Sequence, residues 1–254
     1  MLPPDLWLVG GVDPTGGAGL TRDRITAQIC APGRIIHEVV TADTQQGHGA
    51  PATATARPAI EVVSELRCTA TDVVKVGLVP KSLTDELHGS LAKAAAVVVD
   101  PVLRASDGGD LGGSVAGYRK LSSVATLVTP NTPEAAALAG CARDDRDLLV
   151  RVVAALGGVS VLLKGGHGRD AERVCDRLWH AGEVVNFARP RVPGDPRGTG
   201  CALATAIACG LAAQRKLVEA VADAIKWLDS IRTQAHPGPD GRLHLPDSGP
   251  GLRG

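Results

Sequence analysis

The chain predicts a doubly wound α/β domain built on a mainly parallel sheet with helices on both faces. Short apolar runs alternate with helical segments at least five times, a pattern that builds parallel sheets through crossover units. Clusters of Gly, Asp and Lys fall repeatedly just after the apolar runs, at the carboxyl edge where open α/β sheets bind ligands. No repeat or linker divides the 254 residues, and 44% hydrophobic content suffices for one sizeable core. Residues 1–235 therefore read as one domain. Residues 236–254, rich in Pro, Gly and Asp, read as a mobile tail.

Each element has its own local reason. The apolar run Leu6–Val9 ends in Gly10-Gly11 and reads as a buried strand, followed by a glycine-rich loop through Gly19 in which Asp13 is the one charged side chain. That loop lacks the Gly-Lys-Ser/Thr of a P-loop, and the dinucleotide pattern fails at Arg22. A helix over 20–30 is stopped by Pro32-Gly33, and Ile35–Val40 is the next strand. The polar stretch 41–48 reads as a loop; residues 58–66 read as helix and 73–79 as strand. Residues 80–94 are helical by composition, and Ala95–Val99 is an apolar strand ending at Asp100. Strands over 124–128 and 159–163 follow, with a helix over 135–138 between them. A hairpin turns at His180–Glu183, and helices over 201–213 and 216–232 close the domain.

Composition excludes several classes of function. Lys plus Arg and Asp plus Glu both number 27, so no net charge recruits nucleic acid or an acidic membrane surface. The few aromatics (Trp7, Tyr118, Trp179, Phe187, Trp227) make no stacking platform for single strands. Six cysteines without CxxC pairing argue against a zinc site and a disulfide framework. No leader and no membrane-length apolar run is visible, and the expectation is a cytoplasmic protein.

The chemistry centres on Arg197-Gly198-Thr199-Gly200-Cys201, a glycine loop turning into an Ala-rich helix. Free N–H groups at a helix start favour an anion, typically phosphate. A cysteine placed there is expected to ionise more readily than a free one. The same stretch also reads as a glycine loop before a core helix with one more buried cysteine. A carboxylate ending a buried strand, as Asp100 does, is costly unless used. Glu134 at a helix start can complement the dipole, and Lys164 reads equally as a phosphate-reaching side chain or a solvated strand end.

Four motifs in order resemble the hydroxymethylpyrimidine and phosphomethylpyrimidine kinases, the thiamine-pathway branch of the ribokinase superfamily. They are Gly11-Val12-Asp13-Pro14-Thr15-Gly16-Gly17-Ala18-Gly19, Thr129-Pro130-Asn131-Thr132-Pro133-Glu134, Leu163-Lys164-Gly165-Gly166-His167 and Gly198-Thr199-Gly200-Cys201. The resemblance spans about Leu8 to Trp227. It implies a ribokinase-like sheet of about nine strands, magnesium-ATP as the phosphoryl donor, and a small pyrimidine bearing a hydroxymethyl group as acceptor. Cys201 would be the base, with the N–H groups of Gly198, Thr199, Gly200 and Cys201 holding the transferring group. Gly11, Asp13, Gln46, Leu78 and Val102 would line the pyrimidine site. Asp100, Asn131, Lys164 and Arg197 would serve ATP and its phosphates, with Glu134 and Asp100 on magnesium. A homodimer is a further implication.

The departures from the family pattern lie at Gln45-Gln46-Gly47, at Leu78 where methionine is usual, at Asp107 and at Arg197. Two other readings compete. One is a kinase of the same superfamily acting on another small alcohol, such as a vitamin B6 form. The other is a pyrimidine-binding regulatory protein that no longer catalyses.

Overall fold

The computed structural model describes residues 3–45, 52–104, 109–167 and 171–252. The expectations for Gln46, Gly47 and Asp107 lie outside those residues.

A nine-stranded sheet runs β3-β2-β1-β4-β5-β6-β7-β8-β9. Its parallel part comprises β1 (Leu6–Val12), β2 (Ile36–Gln45), β4 (Val73–Val76), β5 (Ala96–Val99), β6 (Leu127–Val128) and β7 (Ser160–Leu163). Antiparallel strands close both ends: β3 (Thr53–Ala56) against β2, and the hairpin of β8 (Arg173–His180) and β9 (Glu183–Pro190) against β7. The fold is thus the ribokinase-like, mainly parallel α/β sheet that the sequence predicts.

Period-two alternation sorts the strand side chains between two cores. Leu6, Leu8, Val73, Val98, Leu127 and Leu162 face one side, packing with α1 (Gly19–Cys30), α7 (Thr199–Ala212) and α8 (Leu217–Arg232). Trp7, Val9, Val74, Val76, Val97, Val99, Val128 and Val161 face the other. That side is covered by α2 (Ala59–Glu65), α3 (Thr84–Leu91), α4 (Val115–Ser122), α5 (Thr132–Ala139) and α6 (Leu148–Ala155). Helix α7 is buried almost all round because it is made of small residues. A methyl added at Gly210 would lie 2.9 Å from the Cβ of Ala220, so glycine there sets how closely α8 approaches.

Several elements differ from the sequence expectation. Strand β2 continues through Gln45 instead of ending in a loop at Val40, because β3 pairs with its polar extension. Helices α4 and α6 occupy stretches with no earlier assignment. Residues 236–252, which composition reads as a mobile tail, pack back onto the domain. They form a short hairpin, β10 (His236–Pro237) with β11 (Leu243–His244), and Leu245 is fully buried. Arg22 donates to the carbonyls of Leu245 and Pro246 and pairs with Asp247, and the Trp227 indole donates to the Pro250 carbonyl. No helix among the described residues is long and apolar enough to cross a membrane.

Candidate active site

The parallel strands place their carboxyl ends on one edge, and the predicted site residues among those described gather there in three groups. Around the ends of β1, β2 and β4, Gly11, Leu78 and Val102 come together. A side chain at Gly11 would press on Leu78 Cδ2 at 2.7 Å. Leu78 in turn belongs to a small apolar cluster with Ala42, Ala52, Leu111 and Val102. The Tyr118 hydroxyl, buried beneath, donates to the Gly77 carbonyl and accepts from the Val79 N–H, fixing the turn that presents Leu78.

The charged group lies at the ends of β5, β6 and β7. Lys164 Nζ is 2.8 Å from Asp100 Oδ1, and the Thr129 hydroxyl donates to the same carboxylate. Burial opposes ionisation of Asp100, but the ammonium groups of Lys164 and Lys75 prevail and hold its carboxyl below the usual range. Asn131 and Glu134 form a reciprocal capping box at the start of α5. Burial pushes the Glu134 carboxyl up to about 7, Lys164 pulls it down, and Asp100 adds to the rise. Asn131 is bridged through its backbone to Lys164, which ties the ends of β6 and β7 together.

Helix α7 meets this group with its N-terminus. Gly198 caps it in the left-handed conformation, φ 75°. A methyl added at Gly200 would lie 3.1 Å from Lys164 Nζ and 3.6 Å from an Asp100 oxygen. The backbone of the glycine loop therefore runs against the Lys164–Asp100 pair. The first N–H groups of α7 have no carbonyl partner within the helix. Cys201 lies in that first turn. Its thiol does not show the expected easy ionisation. Burial pushes it up to about 11, with Lys75 pulling down and Asp23 and Asp100 adding to the rise.

Asp13 and Arg197 meet each other rather than standing apart in two subsites. The guanidinium of Arg197, a residue 4% exposed, is 2.8 Å from Asp13 Oδ2 and also pairs with Asp240 of the C-terminal hairpin. Asp13 also accepts from the backbone and hydroxyl of Thr15. Burial opposes the Asp240 charge, but Arg197, the Arg242 N–H and His244 hold its carboxyl down at about 2. Arg197 thus carries a network that joins the glycine-rich loop, the α7 start and the hairpin. Replacing it by Met strands two buried carboxylates and is expected to cost about 3–5 kcal/mol in denaturant melts. A phosphate-binding role would instead lower ATP affinity at unchanged stability. The contribution of Asp240 is present above its unfolded-state value and is lost as pH falls through about 2.

Sequence reasoning missed Lys75, Asp23, Thr129 and Asp240. A lone lysine inside the apolar run Val73–Val79 was the available signal. Asp240 had none, because its partner Arg197 is 43 positions away.

This sheet, with a helix start facing an Asp–Lys pair and a cysteine in its first turn, defines a ribokinase-like small-molecule kinase, a phosphotransferase. The family model described as phosphomethylpyrimidine kinase matches residues 13–243. The chain belongs to the phosphomethylpyrimidine kinase family. It is 34% identical over 248 residues to the hydroxymethylpyrimidine/phosphomethylpyrimidine kinase of Streptomyces coelicolor, covering 92% of this chain and 91% of that one. It is 34% identical over 255 residues to the thiamine biosynthesis bifunctional protein ThiED of Geobacter sulfurreducens, spanning 94% of this chain but 50% of that protein. In fold it is similar to the pyridoxal kinase of Staphylococcus aureus solved with pyridoxal. The TM-score is 0.85 at 21% identity, covering 97% of this chain and 94% of that one.

Proposed function

We propose that this chain transfers the γ-phosphoryl group of ATP to the hydroxymethyl group of 4-amino-5-hydroxymethyl-2-methylpyrimidine, to its monophosphate, or to both, in the cytoplasm. The observation that carries the reading is the start of α7, where Gly198 turns the backbone and Gly200 lies against the Lys164–Asp100 pair. Phosphoryl transfer is mostly positioning and charge stabilisation, and unpaired N–H groups at a helix start supply both. Cys201, in that turn, takes the proton of the attacking hydroxyl. Lys164 neutralises phosphate charge. Gly11, Leu78 and Val102 form an apolar wall against which a pyrimidine ring can lie, and Gln46 is assigned to its polar edge.

The donor set fits magnesium. Asp100 and Glu134 are hard oxygen donors at the ends of the neighbouring strands β5 and β6, and the charge of Asp100 adds to the rise of the Glu134 carboxyl. One or two carboxylates with waters and phosphates are what magnesium ordinarily takes. Bound there, magnesium would neutralise charge on the phosphates.

Glu134→Gln is expected to raise the half-saturating magnesium concentration severalfold while leaving pyrimidine affinity unchanged. Glutamine preserves the capping box, so the helix start survives the change. An unaltered magnesium titration would reduce Glu134 to a cap. The function itself is tested by ATP consumption with the hydroxymethylpyrimidine, its monophosphate and pyridoxal in parallel. Turnover of either pyrimidine well above pyridoxal supports the reading; preference for pyridoxal overturns it.

A further inference from the structure

Behind Lys164, on the hairpin of β8 and β9, lies a buried carboxylate that this reaction scheme does not use. Asp176 on β8 is 3% exposed. Val174 and Leu178, two positions to either side, are buried with it, and Leu178 belongs to the core under α7 and α8. Alternation therefore turns Asp176 to that face. Its Oδ1 accepts the backbone N–H of Gly165 at 2.6 Å, in the peptide group that leaves Lys164. Its Oδ2 is 2.8 Å from the Arg189 guanidinium, which in turn lies 2.6 Å from Asp229 of α8. Gly165 runs directly against β8, since a methyl added there would collide with the Cys175 carbonyl. Arg191 donates to the Gly166 carbonyl at 2.8 Å, and the Lys164 N–H donates to the Pro130 carbonyl at 2.9 Å. The backbone of Lys164 is thus held on both sides.

Stability alone is a poor reason to bury this carboxylate. Desolvation of a buried ion pair offsets most of its attraction, and apolar replacements of similar volume are often neutral or better. Val174 and Leu178 show what β8 holds on the same face. We infer that Asp176 is a positioning residue for phosphoryl transfer, its carboxylate fixing the peptide between Lys164 and Gly165 and so where the Lys164 ammonium meets the phosphates of ATP. The room for error there is small. Lys164 Nζ is 2.8 Å from Asp100 Oδ1, and a methyl added at Gly200 would lie 3.1 Å from it. A turn of the Lys164–Gly165 peptide would move the ammonium against both. A carboxylate holds an N–H more firmly than a neutral acceptor does. Arg189, anchored on α8 through Asp229, fixes the carboxylate in its turn, as groups that support a site residue must themselves be held.

The inference rests on Lys164 as a phosphate ligand, and two substitutions separate the acceptor from its charge. Asp176→Asn keeps an oxygen for the Gly165 N–H and removes the charge. Asp176→Glu keeps the charge for Arg189 and carries the oxygen one methylene away from Gly165. Calorimetry on the full-length protein reads the affinity for a non-hydrolysable ATP analogue and for the hydroxymethylpyrimidine, beside kcat and a melting curve. Asp176→Asn should melt lower yet bind the analogue within about threefold of the unmutated protein. Asp176→Glu should bind it about tenfold or more weaker and lose up to about 10²-fold in kcat, the scale of a misplaced group. Pyrimidine affinity should hold in both. A merely structural pair predicts the reverse order in the melts, with analogue affinity unmoved. Unchanged analogue affinity in Asp176→Glu, or equal losses in the two variants, overturns the inference. Should Asp176→Glu fail to fold, Asp176→Ala takes its place under the same criterion. Lys164→Met checks the reading beneath: unchanged analogue affinity there removes the phosphate role of Lys164 and the positioning role with it. The expected pattern in a protein that fails to phosphorylate pyrimidines would uphold the positioning role and sink the substrate assignment instead.

Discussion

Cys201→Ala is expected to slow the chemical step about 10²–10⁴-fold, the usual contribution of a general base, while both ligands still bind. The substitution removes the proton acceptor and leaves the backbone of Gly198, Thr199 and Gly200 in place. A partly buried thiol packs few atoms, so the melting curve should move by less than about 1 kcal/mol. Single-turnover measurement beside a melt separates loss of chemistry from loss of folded protein. Because the thiol of the free protein lies up at about 11, the reactive thiolate grows with pH. The value of kcat/KM should therefore climb about tenfold per unit from about pH 7 to about pH 9. Cys201→Asp should restore part of the rate and flatten that slope, a carboxylate being ionised throughout. Near-normal turnover of Cys201→Ala would place the base elsewhere.

Gly198→Ala should be nearly as damaging by a different route. At φ 75° an L-residue costs about 1–2 kcal/mol, and the added methyl would also collide with the carbonyl oxygen of Gly17 and crowd Arg22 Cγ at 3.1 Å. The loop must shift to admit it, carrying the α7 start away from Lys164. A misplacement of about 1 Å can cost about 10²-fold in rate. Gly33→Ala is the matched control. Its φ is 79° but nothing lies within 4 Å of the new methyl, so it should lose stability and keep kcat. If Gly198→Ala also keeps kcat within a few-fold, this loop is not the phosphoryl cradle.

The parts of this fold that were legible in the sequence are those written in local pattern. The apolar runs of β1, β4, β5 and β7 are short, branched and bounded by turn residues, and each marks a strand wherever it sits. The polar end of β2 was not legible: Asp43 and Gln45 are exposed while Thr41, Ala42 and Thr44 are buried. That alternation becomes a strand only because β3 supplies the edge it pairs with. Helix α6 is rich in β-branched residues, which favour strands locally, and its packing against α5 overrides that preference.

At the site the division is the same. Glycine loops, a strand-ending Asp100 and Lys164, and a cysteine after Gly-Thr-Gly could be named from sequence because each is a residue type at the end of an element. The partners of those residues could not. The pairing of Arg197 with Asp13, 184 positions earlier, shows only in space, and the C-terminal residues read as a tail until Arg22, Arg197 and Trp227 held them. The sequence by itself determined the layered sheet and the edge on which chemistry gathers, since hydrophobic period and turn residues act over a few positions. Only the tertiary structure decided which charges neutralise one another and how far a thiol is desolvated. Those energies depend on distances through space, and spacing along the chain does not encode them.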